Sequence, residues 1–306
     1  MRYQLLPHDS NKALIELIDC HQFVPDKIVL NLKQNKMKEG KNVGTAVVTG
    51  ASSGLGEVFA ARLAERGYDL QLIARRGDRL ESLAAKIRNQ FGVNVTTIIA
   101  DLASAAELES VANRLVNDLD ITLLINNAGT STMNRFTDTP AEKQLAMIDV
   151  NIVALTVLSN AVLPGFKSRN KGTLINIASV LGYHTLPISA IYSGTKAFVV
   201  QFTNGLQQEF KDTNVTIQLA LPASTATEIW EVGGVPISSL NPESVMTIEN
   251  CVDAILAGLD LKESVTWPSV EDKRLYEVYE DARLKLFSAT QTKKPASRYG
   301  VPVTTE

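Results

Sequence analysis

Thr49-Gly-Ala-Ser-Ser-Gly-Leu-Gly56 constrains this chain more than any other stretch. It follows a short β-branched run, Ala46 to Thr49, and opens a helical pattern with Leu55, Phe59 and Leu63 on one face. Gly50 permits a tight turn out of the strand, and Gly54 lets the backbone approach a phosphate without an intervening side chain. Gly56 allows the helix to pack close on a sheet, and the helix N-terminus offers free N–H groups to a pyrophosphate. The plainer reading is a glycine-rich loop with no ligand; the strand before it and the helix after it favour the first.

The rhythm continues downstream. Strands are predicted at 69–74, 94–100, 121–125, 173–177 and 216–221, with helices at 78–91 and 104–118 and longer ones before the last two strands. Such alternation predicts an α/β fold, a doubly wound parallel sheet flanked by helices, with right-handed crossovers. Residues 41–288 read as one domain. Residues 1–40 precede it, ending in a basic stretch from Lys33 to Lys41, and 289–306 read as a flexible polar tail with Pro295 and Pro302.

Composition excludes several functions. With 45% hydrophobic residues, 21% charged residues and a net charge of −3, the 306-residue chain reads as globular with no nucleic-acid partner. Two cysteines build no disulfide framework, and His8, His21 and His184 lack ligand spacing, so no metal site is expected. The uncharged stretch from Val150 to Phe166 is short for a membrane span and is interrupted by Asn151, Thr156, Ser159 and Asn160. It reads as a buried or subunit-facing helix. Glu16, Asp19 and His21 break any secretory signal, so a cytoplasmic location is expected.

A second constellation lies further along. Tyr192 and Lys196 are four apart on a predicted helix and share a face. An ammonium beside a phenol, together with a positively charged nicotinamide ring, lowers a phenol pKa that is otherwise near ~10. Lys196 can also donate to a ribose. Ser179 stands just past a strand at the carboxyl edge of the sheet, where ligands bind in open α/β folds. It either donates to a substrate carbonyl oxygen or serves as a turn serine. At the end of the second strand, Ala74 is followed by Arg75 and Arg76 where an NAD-preferring protein carries an acid. Arg75, the first residue beyond the strand, is the expected grip on a 2′-phosphate, and NADP(H) is expected over NAD(H). The alternative is that both arginines are solvated surface charges.

Together with Asp101-Leu102, Asn126-Asn-Ala-Gly129 and Asn151, these residues make the chain resemble the short-chain dehydrogenase/reductase superfamily, in its single-domain branch, over about Val43 to Leu286. The resemblance implies Tyr192 as general acid/base, Ser179 as the group polarising the carbonyl, Lys196 as the ribose ligand, and Asn151 as holder of a proton-relaying water. It implies cofactor contacts at Gly50, Ser52, Ser53, Gly54, Leu55, Gly56, Arg75, Asp101, Leu102, Asn127, Ala128, Gly129, Tyr192, Lys196, Pro222, Thr225 and Thr227. Met37 stands where such chains normally begin, which leaves residues 1–40 as a native extension or the product of an upstream start codon. Pro222-Ala223 departs from the usual Pro-Gly, and a methyl there disfavours a positive φ.

The resemblance further implies a lid over the substrate near 228–246. Its Ile229, Trp230 and Val232, with Leu181, Leu186 and Ile188, suggest an apolar ketone or alcohol, or else a subunit interface. A homodimer or homotetramer through the long helices around Asn151 and Tyr192 is implied as well. The expected activity is hydride transfer between NADP(H) and a small-molecule carbonyl or alcohol. The rival is a non-catalytic NADP-binding regulatory or scaffold protein, which has no use for an intact proton donor.

Overall fold

The computed structural model describes residues 43–302, so the expected extension 1–40 and the end of the expected tail lie outside the described residues. Seven strands, β1 (Thr45–Thr49), β2 (Asp69–Ala74), β3 (Val95–Ile99), β4 (Ile121–Asn126), β5 (Gly172–Ile177), β6 (Val215–Ala220) and β7 (Val265–Thr266), form one sheet. Its order is β3-β2-β1-β4-β5-β6-β7, and every neighbouring pair is parallel. The central strands are apolar on both faces (Val47, Val48, Leu124, Ile125), as a sheet covered by helices on both sides requires. β7 escaped the sequence reading: two residues make no periodic pattern, and Val265 and Thr266 become a strand only by pairing with Leu219 and Ala220.

Helices α1 (Gly54–Glu65) and α2 (Gly77–Phe91) cover one face of the sheet, where Phe59, Leu63, Leu80 and Ile87 meet Val48, Leu72 and Ile125. On the other face lie α3 (Ala105–Val116) and a continuous helix built from α4 (Ala141–Ile148), a π-helical segment (Asp149–Ala154) and α5 (Leu155–Arg169). Leu115, Leu158, Val162 and Phe166 pack there against Val47, Leu124 and Leu174. Each such side chain contributes about 1.5–3 kcal/mol by leaving water. The span Ala141–Arg169 is apolar and long enough to cross a membrane by composition, yet its Leu158, Val162 and Phe166 are core residues of the sheet layer. Part of 150–166 is thus buried in the core, while Val153 is exposed. The same span is longer than the pattern suggested.

α6 (Ala190–Glu209) follows β5 and lays Val199 and Val200 against Leu219 and Leu221. After β6 come the short α7 (Ile229–Val232), two 3₁₀ turns at Ile237–Ser239 and Pro242–Ser244, and α8 (Ile248–Asp260), whose Val252 and Ile255 complete the first core. α9 (Arg274–Ala289) buries none of its residues fully. Tyr276 and Tyr279 hold it through ring contacts with Tyr183 at 6.4 and 5.3 Å.

From β1 the chain winds outward through β2 to β3, then returns to the other side of β1 as β4. The loops leaving β1 and β4 therefore diverge at the carboxyl edge of the sheet. That reversal opens the crevice in which such folds bind ligands.

Candidate active site

The glycine turn stands at that reversal. Gly50 has φ +66° and Gly54 φ +60°, both left-handed conformations that favour glycine. A Cβ on Gly50 would lie 2.9 Å from the Ala128 Cα, and one on Gly56 would collide with the Gly50 carbonyl oxygen. Gly50 thus lets β1 and β4 approach, and Gly56 seats α1 on the turn. Ser53 takes the N-cap position of α1 without its side chain capping the helix. The N–H groups of the first turn consequently have no side-chain acceptor of their own and suit an anion.

Thr49, which the sequence reading passed over, locks this corner. Its hydroxyl donates to the Ile125 carbonyl (3.2 Å) and accepts from the N–H groups of Asn127 (3.0 Å) and Ala128 (2.9 Å). The Asn127 side-chain amide returns to the Thr49 carbonyl at 2.9 Å. A threonine ending a strand looks like any other in sequence; only the adjacency of β1 and β4 gives it two N–H partners.

One cleft of about 710 Å³ runs from this turn across the sheet edge. Gly50, Ser52, Ser53, Gly54, Leu55, Arg75, Asp101, Leu102, Asn127, Ala128, Gly129, Ser179, Tyr192, Lys196, Pro222, Thr225 and Thr227 all line it. Gly56 and Asn151 stand behind its wall, Gly56 packed against Gly50 of the turn and Asn151 bonded to Thr195 of α6. Ala223 lies on the wall without a positive φ, so the absent glycine is not needed for this path.

The two arginines after β2 part company. Arg75 is 71% exposed, with its guanidinium 3.8 Å from Asp101. Arg76 turns inward: Nε donates to Ser52 Oγ at 3.3 Å, one terminal nitrogen to Ser53 Oγ at 2.5 Å, and the other to Glu228 at 2.7 Å. Sequence order favoured Arg75, but both line the cleft and Arg76 is the one held by the glycine turn. The Asp101 carboxylate also accepts from the Ala103 N–H at 3.0 Å.

At the other end of the cleft, Tyr192 and Lys196 project from α6, both buried, beside Ser179 at the end of β5. Ser179 makes the turn contact, its oxygen accepting from the Leu181 N–H at 3.1 Å, and the residue also lines the cleft wall. Lys196 donates to the Ile177 carbonyl at 2.9 Å, and its ammonium lies 5.8 Å from the centre of the Tyr192 ring. Asn151 sits in the π-helical segment with its amide fully engaged. It accepts from the Thr130 N–H (2.9 Å) and donates to the Thr130 carbonyl and the Thr195 hydroxyl (both 3.0 Å). Thr195 in turn donates to the Tyr192 carbonyl at 2.8 Å. Thr130 and Thr195 were not anticipated, because only the fold brings 130, 151 and 195 together.

Burial acts on both groups. In the chain alone it pushes the Tyr192 phenol up to about 12, while the hydrogen bond with Ser179 acts in the opposite sense. Burial likewise pulls the Lys196 ammonium down to about 8. A phenolate and an ammonium both lose hydration in this pocket, and burial disfavours the charged form of each. The chain by itself does not make the phenol acidic.

Beyond Tyr192 the cleft is walled by Met133, Leu181, Leu186, Ile229, Trp230 and Val232. Ile188 instead packs into the cluster of Met133, Met147 and Tyr192. The segment over this wall is tied down at three points. Ser131 donates to the Ile229 carbonyl (3.0 Å), the Met133 N–H to the Gly233 carbonyl (2.9 Å), and the Trp230 indole to the Thr225 carbonyl (3.0 Å).

This architecture is shared with known proteins. Residues 44–233 match the family described as short chain dehydrogenase. The very-long-chain 3-oxoacyl-CoA reductase of Anas platyrhynchos is 34% identical over 203 residues, 65% of this chain and 65% of that protein. The Homo sapiens protein of the same name is 34% identical over 215 residues, 69% of each chain. This chain thus spans about two thirds of the length of these curated relatives. Among solved structures, a short-chain dehydrogenase from Sphingobium yanoikuyae in complex with NADPH superposes with a TM-score of 0.81 at 40% identity, covering 84% of this chain and 100% of that one. The bulky-bulky ketone specific alcohol dehydrogenase from Comamonas testosteroni gives 0.78 at 35% identity, covering 86% and 100%. With the sheet order, the glycine turn and the Ser179, Tyr192 and Lys196 cluster all in one cleft, the chain belongs to the short-chain dehydrogenase family.

Proposed function

We propose that the protein is an NADP(H)-dependent oxidoreductase that moves hydride between the nicotinamide and the carbonyl or alcohol carbon of a bulky, apolar substrate. The carrying observation is that the uncapped N-terminus of α1 and the Ser179, Tyr192 and Lys196 cluster open onto the same cleft. The residues fit a dinucleotide. Gly54, at φ +60°, holds the turn in a path that favours glycine and leaves its backbone bare toward the cleft, and basic side chains flank the end of β2. Gly50 to Gly56 with Thr225 and Thr227 would hold the pyrophosphate, Arg75 and Arg76 the 2′-phosphate, and Lys196 the nicotinamide ribose. When bound, the cofactor supplies the hydride and, oxidised, a positive ring.

The chain's own part is proton handling. In reduction Tyr192 gives its proton to the carbonyl oxygen while the Ser179 hydroxyl donates to the same oxygen as negative charge develops there. In the chain alone the buried phenol is protonated at neutral pH. Lys196 and the clamp of Asn151 on Thr130 and Thr195 keep the tyrosine's helix in place. The apolar wall of Met133, Leu181, Ile229 and Trp230 excludes water from the reacting centre. The same wall, and relatives named for 3-oxoacyl-CoA and bulky-bulky ketones, support an apolar carbonyl substrate. Leu145, Val153 and Phe198, exposed on α4, the π segment and α6, support assembly with a second copy through these helices.

Loss of NADPH absorbance with a panel of bulky ketones and acyl thioesters tests the reading. The Tyr192→Phe variant is expected to lose turnover by at least about 10²-fold and to keep NADPH binding. Unchanged turnover in that variant would overturn the assignment.

A further inference from the structure

Glu228, the residue that leads into the segment over the substrate wall, does not face the substrate. Its carboxylate crosses to the opposite rim of the cleft and is held between two arginines, accepting from Arg76 through one oxygen and from Arg79 through the other, both at 2.7 Å. The Arg76 guanidinium is simultaneously fixed to Ser52 and Ser53 of the glycine turn. Next to Glu228, Thr227 lines the same cleft as Gly54. A carboxylate therefore occupies an anion position built from two guanidinium groups, one of them anchored on two hydroxyls of the glycine turn, at the end of β2 where the adenosine ribose belongs in this fold. Arg75, by contrast, is exposed and faces Asp101 at 3.8 Å.

The geometry points to Glu228 as an intramolecular competitor for the 2′-phosphate of the cofactor, and so as a residue that sets the strength of the NADP(H) preference. This inference rests on the NADP(H) reading above. A phosphomonoester carries more negative charge than a carboxylate and offers three acceptor oxygens, so it displaces Glu228 from Arg76 and Arg79. An adenosine without that phosphate leaves the pair in place. Because Glu228 is the first residue of the covering segment, filling the 2′-phosphate site also frees one end of that segment. Cofactor choice and access to the substrate wall are thereby coupled through one side chain.

The test is calorimetric titration of the full chain with two probes that differ only by the 2′-phosphate, adenosine 2′,5′-bisphosphate and adenosine 5′-monophosphate. Wild type binds the bisphosphate more tightly. Glu228→Gln keeps the shape and removes the competing charge; it tightens the bisphosphate by roughly three- to tenfold, as expected for releasing two exposed ion pairs, and leaves the monophosphate unchanged. Equal tightening of both probes would reduce Glu228 to a distant charge, and weaker bisphosphate binding would make it a clasp on the ligand; either overturns the proposal. If the variant matches wild type while wild type still prefers the bisphosphate, the competitor role fails and the NADP(H) reading stands. A wild type that does not distinguish the probes ends both.

Discussion

Lys196 offers a test that needs no substrate. Its ammonium is buried and its pKa falls from 10.5 to about 8 in the folded chain. Between those two values the unfolded chain binds more protons than the folded one, so stability rises with pH. Below about 8 both states are protonated and the full cost of the buried charge is present; it is relieved as pH climbs through the window. Integrated from pH 7 to pH 9, this single group contributes a gain of roughly 1.3 kcal/mol. Lys196→Met removes the titration and keeps most of the apolar stem. The Ile177 carbonyl loses its donor in that variant, but that loss is the same at every pH and cancels in the comparison. Tyr192 and Cys251 titrate in both proteins and cancel as well. Urea unfolding of the cofactor-free proteins at pH 7, 8 and 9 therefore yields a wild-type minus variant difference that grows by about 1 kcal/mol across the range. A flat difference would mean that the lysine is hydrated and the reasoning about the pocket is wrong.

Other perturbations address the surrounding parts. Asn151→Leu leaves the Thr130 N–H and carbonyl and the Thr195 hydroxyl without their partner, and chemical denaturation should report a loss of about 2–4 kcal/mol. Gly56→Ala drives a methyl into the Gly50 carbonyl; a cost of about 1–3 kcal/mol, with lost NADPH binding in a fluorescence titration, is expected. Gly194→Ala is the contrasting case: it sits in α6 with nothing within 4 Å of its added Cβ, and the melting temperature should rise in line with about 0.5–1 kcal/mol. Phe198→Glu, on a 37% exposed position stacked on Phe202, should shift sedimentation toward the monomer if α6 forms the contact between copies.

The local grammar was legible because it depends on neighbours in the chain. β-Branched runs, a glycine turn opening a helix, and a tyrosine and lysine one helical turn apart can all be recognised without knowing what lies across the sheet. The parallel, doubly wound arrangement followed from alternation, since only crossovers join parallel strands. Other features were decided by contacts between distant segments. β7 exists through its pairing with β6. Thr49 matters through the N–H groups of Asn127 and Ala128, and Arg76 turns inward because Ser52, Ser53 and Glu228 receive it. The pKa of Tyr192 is the sharpest instance. Sequence spacing supplied a cation one turn away, whereas the fold supplied the burial, and desolvation depends on everything packed around the ring. Residue types and their spacing along the backbone thus determined which chemistry is present. Tertiary packing decided how each group is oriented, partnered and charged, because those properties arise from atoms far apart in the chain.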